Sequence, residues 1–277
     1  MLPKSDGQSS GSNSMARTMT RLSDFFGQML AVTEADIRKL RHDPVELLTR
    51  MVQPVLWLLI FGQVLARARA IPTGPIGYIE FVAPGILAQS VLFVAIFYGV
   101  SLIWERDLGV LHKYMVSPAP RIALVLGRGL ASGVRGLSQA FIVYVLAYFL
   151  GVPLRLGIGP IVGVVLIVML GSSVFSTFSL IVACIVKTRE RFMGIGQVLT
   201  MPLFFASNAI YPLEMMPPWL RSVALYNPLT YQVDALRTMM VTGAQSSFGL
   251  GVDFSVQIVA LILLSLIATR LYPRIIN

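Results

Sequence analysis

The chain has 277 residues, of which 56% are hydrophobic and only 13% are charged. Water-soluble domains carry about 25% charged residues, so this composition excludes an ordinary soluble domain. A net charge of +9 would suggest a nucleic-acid partner in a soluble protein. Here an excess of Lys and Arg on one side of a membrane accounts for it, and we expect no nucleic acid. The single cysteine, Cys184, excludes an intramolecular disulfide, and without a ligand pattern around either histidine we expect no metal site.

Two polar segments precede the first apolar run. Residues 1–20 are rich in Ser and Gly and are predicted to be a disordered tail. Residues 21–44 are predicted to form an amphipathic helix that Pro44 ends. The residues at helical spacing on its inner face are Phe26, Leu30, Thr33, Ile37 and Leu40. Because so charged a helix cannot cross a bilayer, we expect it to lie in the headgroup layer, the alternative being an ordinary solvated helix.

The remainder, residues 45–277, is predicted to form an all-α integral membrane domain. Apolar helices of about 18 residues or more can cross roughly 30 Å of hydrocarbon, whereas an open sheet would leave its edge amides unsatisfied there. We predict six transmembrane helices, at residues 47–66, 81–103, 137–150, 158–186, 192–211 and 254–269. Pro54 is predicted to kink the first of them. No Asp, Glu or Lys lies inside these six ranges.

A charged segment, residues 104–121, separates the second and third apolar runs. Its charged residues are Glu105, Arg106, Asp107, Lys113 and Arg121. Charged side chains avoid hydrocarbon, so the segment is predicted to lie in water. There it is either an ordinary solvated loop or the contact through which a cytosolic motor moves the membrane helices.

A polar stripe follows, in which arginines recur every seven residues. Its members are Arg121, Arg128, Ser132, Arg135 and Gln139. A charge at mid-bilayer costs about 3 kcal/mol, so the helix is predicted to enter the hydrocarbon only near Leu137. We expect the stripe to face lipid headgroups, the alternative being a water-filled cavity.

Residues 212–243 are apolar but are repeatedly interrupted by proline. Asn227 followed by Pro228 predicts a helix start, with the Asn as its cap and the Pro at its first position. At about 1.5 Å per residue, the two short helices on either side of Asn227 cannot cross a membrane. They are predicted to form a re-entrant hairpin in the outer leaflet. Asp234 and Arg237, three residues apart on one helix, are predicted to form a structural pair.

The distribution of positive charge sets the orientation. If the N-terminal segment, residues 104–136, the loop at 187–191 and the C-terminus share one side, that side holds 17 of the 22 Lys and Arg. This side is predicted to be cytoplasmic, so both termini are cytoplasmic.

The sequence contains no P-loop, no zinc-protease motif and no serine-hydrolase elbow. The absence of ionisable groups from the predicted spans, apart from arginine, disfavours a self-powered carrier. Six side chains are candidates to line a transport path, although packing or lipid contact explains them equally. They are Phe93, Phe97, Tyr98, Phe204, Phe205 and Asn208.

Three stretches together resemble the ABC type-2 permease family, the membrane subunits of bacterial exporters of drugs, lipid-linked sugars and polysaccharides. They are Glu105 to Gly109 with Ser117 to Arg121, Ile210 to Glu214 with Pro217 to Leu220, and Asn227 to Tyr231 with Asp234 to Arg237. The resemblance covers roughly residues 20–275. It implies that the charged segment is a coupling helix seated on a separate ATPase subunit and that the hairpin after Asn227 closes the outer mouth.

The resemblance also implies a role for individual residues. Those of the coupling segment are Glu105, Arg106, Asp107, Gly109, Lys113, Pro118 and Arg121. Those of the outer gate are Asn227, Pro228, Tyr231, Asp234 and Arg237.

The implied assembly consists of two permeases, identical or related, and two ATPases in a bacterial plasma membrane. The ATPases would bind ATP and Mg²⁺, and this chain would bind no cofactor and perform no catalysis. The substrate would be amphiphilic or hydrophobic: a drug, a lipid or a lipid-linked glycan. The residues alone leave two alternatives, a self-sufficient carrier or channel and a membrane enzyme acting on lipids.

Overall fold

The computed structural model describes Gly27, Thr33, Glu34 and Arg38, and residues 44–69, 71–108, 121–186 and 188–272. Within these ranges the fold is all-helical, as predicted, and its only β-type pairing is an isolated antiparallel bridge between Leu154 and Val241. The predicted disordered tail and most of the predicted amphipathic helix lie outside the described residues.

The helices are numbered in chain order. They are α1 Pro44–Leu56, α2 Gln63–Ala68, α3 Tyr78–Asp107, α4 Arg121–Phe149, α5 Ile158–Ile185, α6 Arg189–Phe205, α7 Pro218–Tyr226, α8 Pro228–Met240 and α9 Leu250–Leu271. A π-helical segment, Trp57–Gly62, joins α1 to α2, and a 3₁₀ turn, Leu213–Met215, lies between α6 and α7.

Four of the described helices, α3, α4, α5 and α9, are long and apolar enough to cross a membrane. The first and fifth predicted spans do not form single helices of that kind. Next to Pro54, where a kink is predicted, the α-helix gives way to the π-helical segment. Because Pro54 has no N–H, it removes the hydrogen bond to the carbonyl four residues earlier, within α1. Helix α6 has 17 residues and ends at Phe205.

Two helices extend beyond the predicted spans. Helix α3 continues past residue 103 to Asp107, and α9 begins at Leu250 rather than at 254. The longer α9 contains Asp253, which is fully buried. This carboxylate lies one residue before the predicted span, in the first turn of α9.

Helix α3 lies at the centre of the bundle. It is apolar on all sides, as expected of a helix without a solvent face, and it packs against α4, α5, α6 and α8. Two of its glycines allow close approach. A side chain at Gly85 would overlap the Ala209 backbone, and one at Gly99 would overlap Ser179 of α5. The Ser179 hydroxyl donates to the Ile96 carbonyl at this contact.

A short clasp joins two connections that are distant in sequence. The turn between α4 and α5 pairs with the residues that follow α8, through the Leu154–Val241 bridge. The Arg155 N–H donates to the Met240 carbonyl (2.9 Å), and the Thr242 N–H donates to the Pro153 carbonyl (2.8 Å). These bonds satisfy backbone groups that neither loop could satisfy by itself.

Candidate functional site

The bundle has two polar ends, and a cavity between α1, α3 and α4, that bear on function. The Asp107 end comprises the end of α3 and the starts of α4 and α6. The Asn227 end comprises α7, α8 and the connections around them.

At the Asp107 end, α3 and α4 are joined by a buried ion pair. Arg128 Nη2 donates to Glu105 Oε2, and both side chains are at most one-tenth exposed. The prediction that the charged segment lies in water is therefore wrong for Glu105. A buried pair of this kind is strongly destabilising when only one partner is removed, because the other charge is then left without compensation.

The polar stripe on α4 turns inward. Arg128, Ser132, Arg135 and Gln139 are all buried, and the Arg135 guanidinium lies over the Tyr98 ring (4.5 Å to its centroid). The expectation that the stripe faces lipid headgroups is therefore wrong. Residues that recur every seven positions share one helix face, and this face of α4 packs against α3 and α5.

Next to the buried pair lies an ion-pair cluster at the surface. Asp107 accepts from Arg106 Nη2 (3.0 Å) and from Arg189 Nε (3.1 Å). The Arg189 guanidinium also lies over the Trp104 ring (3.8 Å). The cluster joins the end of α3 to the start of α6 and keeps Asp107 accessible. Of the other predicted coupling residues, Gly109, Lys113, Pro118 and the side chain of Arg121 lie outside the described residues.

A cavity of about 350 Å³ opens between α1, α3 and α4. Its lining consists of Thr49, Arg50, Gln53, Ser90, Phe93, Val94, Phe97 and Gln139. The Phe93 and Phe97 rings lie 5.9 Å apart. Both amide atoms of the buried Gln139 lack a hydrogen-bond partner among the described residues. The cavity thus combines two aromatic rings with an unsatisfied donor and an unsatisfied acceptor.

The other four candidate path residues lie elsewhere. Tyr98 packs under Arg135, and Phe204 is fully buried against Trp57. Phe205 is exposed on α6, and Asn208 lies at the Asn227 end. Of the six candidates, only Phe93 and Phe97 therefore line this cavity, whereas Phe204 and Phe205 contact each other elsewhere (5.3 Å between ring centroids).

At the Asn227 end, Asn227 caps α8 with Pro228 in the first helical position, as predicted. Its Oδ1 accepts from the Leu229 N–H (3.0 Å), while its Nδ2 donates to the Leu203 and Ala206 carbonyls (2.7 and 2.8 Å). One side chain therefore starts α8 and also holds the end of α6. The Tyr231 hydroxyl donates to the Leu225 carbonyl (2.8 Å), which joins α8 to α7.

The predicted pairing of Asp234 with Arg237 is wrong. Arg237 Nε donates to the Phe81 carbonyl (3.2 Å) and its Nη2 to the Asn208 carbonyl (2.7 Å). Asp234 Oδ2 accepts from the Ser246 hydroxyl (2.6 Å) and from the Ser247 N–H (2.9 Å). The two side chains form no direct ion pair, and they hold α8 to different parts of the chain.

Comparison with known proteins decides the family. Residues 27–241 match the ABC-2 type transporter family. The chain belongs to this family. The match extends over most of the permease, from the N-terminal segment to the end of α8, and it includes the Asp107 end, the cavity, α7 and α8.

Several curated relatives are similar to this permease over most of their length. It is 28% identical over 215 residues to the putative transport permease ycf38 of Cyanophora paradoxa, covering 77% of this chain and 74% of the relative. It is 27% identical to the daunorubicin resistance ABC transporter permease protein DrrB1 of Streptomyces coeruleorubidus, covering 72% and 70%. It is 25% identical to the probable doxorubicin resistance ABC transporter permease protein DrrC of Mycobacterium tuberculosis, covering 79% of each chain.

Sequence analysis missed three polar residues that line the cavity or lie buried in the bundle. Gln53 and Ser90 line the cavity, and Asp253 lies buried at the start of α9. The only sequence signal for Gln53 and Ser90 is that each is a polar residue within an apolar run. That signal does not show which cavity the side chain faces. Asp253 was missed because it lies one residue before the predicted span at 254–269, within the first turn of α9.

Proposed function

We propose that this permease is the membrane half of an ATP-driven exporter, and that two copies, or this chain and a related one, form the transport path. Separate ATPase subunits bind ATP and Mg²⁺, and this chain binds no cofactor. The substrate is amphiphilic or hydrophobic: a drug, a lipid or a lipid-linked glycan. The observation that carries the proposal is the cavity between α1, α3 and α4, where aromatic rings lie beside an unsatisfied amide. Two relatives are named for resistance to daunorubicin or doxorubicin, which supports transport out of the cell.

The cavity suits such a molecule for physical reasons. Apolar parts of a ligand gain free energy by leaving water for contact with Phe93 and Phe97. A hydroxyl, carbonyl or amide on the same ligand can satisfy Gln139, whose isolation in a low-dielectric environment is otherwise unfavourable. A small anion would gain little from the two ring faces, which attract cations and apolar groups, and a purely apolar substrate would leave Gln139 unsatisfied.

In the membrane, we propose six crossings. Pro44 to Ala68 forms the first, because it is long enough for roughly 30 Å even with its π-helical segment. Helix α6 and the residues after it form the fifth, and α7 and α8 form a re-entrant hairpin that closes the outer mouth. The Asp107 end is cytoplasmic, as are both termini, and the membrane is the bacterial plasma membrane.

The N-terminal segment is proposed to lie along the cytoplasmic face. Thr33 is buried and donates to the Gly127 carbonyl of α4 (3.1 Å), whereas Glu34 and Arg38 form an exposed ion pair one turn apart (2.6 Å). This arrangement is that of a helix with one face against the bundle and the other toward water.

Coupling to the ATPase is proposed to act through the Asp107 end. Arg106, Asp107 and the residues up to Arg121 form the contact, and the buried Glu105–Arg128 pair transmits its movement to α3 and α4. The ATPase can shift the permease between states only if its ATP-bound form binds one state more tightly than the other. A self-sufficient carrier or channel, or an enzyme acting on lipids, would need no such contact.

Site-specific crosslinking tests the proposal. Leu108 is 71% exposed and directly follows Asp107. In a Cys184→Ala background, Leu108→Cys is expected to crosslink to the coexpressed ATPase, in a yield that changes when ATP is added. The matched control is Leu156→Cys, which is 61% exposed at the opposite end and should give no such crosslink. If Leu108→Cys reacts with water-soluble thiol reagents equally with and without the ATPase, a self-sufficient carrier explains the chain better.

A further inference from the structure

A second cavity, of about 540 Å³, lies at the Asn227 end of the bundle. Three connecting segments form its walls: residues 72–76, 212–215 and 243–247. Its floor consists of Phe81, Asn208 and Arg237. The proposed export function assigns no role to this cavity.

The floor presents one cationic donor. Two guanidinium nitrogens of Arg237 are held by the Phe81 and Asn208 carbonyls, and the Phe81 ring stacks against the guanidinium plane (3.7 Å). These contacts leave Nη1 as the nitrogen available to a molecule in the cavity. Because these contacts already fix the guanidinium, little conformational entropy is lost when a ligand accepts a hydrogen bond from Nη1.

The floor also presents an unsatisfied acceptor. Asn208 is 2% exposed, and its Oδ1 has no hydrogen-bond partner among the described residues. Buried amide oxygens nearly always have a partner, so this atom marks a position where a donor belongs. It lies beside Arg237, because the backbone carbonyl of the same residue accepts from that guanidinium.

A carboxylate stands in the cavity wall. Glu214 lies in the 3₁₀ turn, is exposed, and lines the same cavity as Arg237. A simple anion drawn to Arg237 would be repelled by Glu214, and a simple cation drawn to Glu214 would be repelled by Arg237. A ligand that carries both charges a few ångströms apart satisfies the whole set.

We propose that this cavity binds a phosphoethanolamine group. The phosphate accepts from Arg237 Nη1, and the ammonium donates to Glu214 and to the orphaned Asn208 Oδ1. A choline group carries the same charges but has no N–H to donate, so it would leave Asn208 unsatisfied. The group can belong to a phospholipid of the adjoining leaflet or to a soluble molecule that contains the same zwitterion.

Native mass spectrometry of the full-length permease tests the site. Phosphatidylethanolamine, phosphatidylcholine and phosphatidylglycerol with identical acyl chains are titrated separately. We expect the first to bind about tenfold more tightly than the other two, which corresponds to about 1.4 kcal/mol. Glu214→Gln and Asn208→Ala should each remove this preference. Glu190→Gln, an exposed glutamate at the Asp107 end, should retain it.

Competition with O-phosphoethanolamine identifies the source of the group. Displacement of the bound phospholipid would mean that the zwitterion alone is recognised, so a soluble ligand can fill the site. A preference that depends on Glu214 but resists competition would assign the site to a membrane lipid. Equal binding of the three phospholipids, or a preference that survives both substitutions in variants whose unfolding temperature is unchanged, would overturn the proposal. Neither result bears on the ATPase crosslink.

Discussion

The two polar ends of this permease satisfy their charges in different ways. At the Asp107 end, charged side chains bind one another: Glu105 with Arg128, and Asp107 with Arg106 and Arg189. At the Asn227 end, they bind the backbone. Arg237 donates to two carbonyls, and Asp234 accepts from two N–H groups, those of Ser247 and Phe248, and from a hydroxyl.

The difference indicates what each end can do. Ion pairs between long side chains can be kept or exchanged while helices shift, because each side chain has several rotamers. A guanidinium bound to two backbone carbonyls fixes two chain segments at once and cannot follow a shift of either. We therefore expect the Asp107 end to accommodate movement and the Asn227 end to hold irregular loops in place.

The largest effect is expected at the buried pair. Arg128→Met leaves Glu105 buried without its partner and should lower the free energy of unfolding by about 3–5 kcal/mol. Adding Glu105→Leu should restore most of that loss, because an apolar pair can replace a buried ion pair. Thermal unfolding of the two single variants and the double variant in detergent measures this. If the double variant is as unstable as Arg128→Met, the two side chains are not coupled.

A smaller effect, without rescue, is expected at the opposite end. Arg237→Met leaves the Phe81 and Asn208 carbonyls without a donor and should cost about 2–4 kcal/mol, since each lost partner of a buried group costs about 1–3 kcal/mol. No second side-chain substitution should restore the stability, because the partners are backbone atoms. Arg221→Met on α7, an exposed position, is the control and should change stability by less than about 0.5 kcal/mol. If Arg221→Met loses as much stability as Arg237→Met, the bonds from Arg237 to the two carbonyls do not stabilise this end.

The smallest effect on stability is expected at Asp107. Asp107→Asn weakens two partly exposed ion pairs, and because solvent screens such pairs they contribute little to stability. We expect an unfolding temperature close to that of the wild type, but a lower ATPase activity in the assembled complex, since the contact with the ATPase is altered. If this variant stimulates the ATPase normally, Asp107 takes no part in the proposed coupling contact.

The features that the sequence predicted correctly depend on neighbours in the chain. Asn227 and Pro228 form a helix start because a cap and a proline at the first position act within one turn. The four long apolar helices follow from length and composition alone. The all-helical fold could likewise be predicted without knowledge of tertiary contacts.

The features that it predicted wrongly depend on tertiary contacts. Asp234 and Arg237 have the spacing of a helical pair, but the carbonyls of Phe81 and Asn208 lie closer to the guanidinium. Glu105 reads as part of a solvated charged run, yet Arg128, 23 residues away, draws it inward. A seven-residue period shows that the stripe shares a face, but it does not show whether that face meets lipid or protein.

The clasp between the α4–α5 turn and the residues after α8 has a consequence for biosynthesis. Leu154 is synthesised 87 residues before its partner Val241. At about 5–20 residues per second, the turn waits several seconds before its backbone groups can pair. During that interval α5 to α8 are synthesised and this connection is not yet made. A chain truncated before Val241 should therefore expose the turn to protease, whereas the complete chain should protect it.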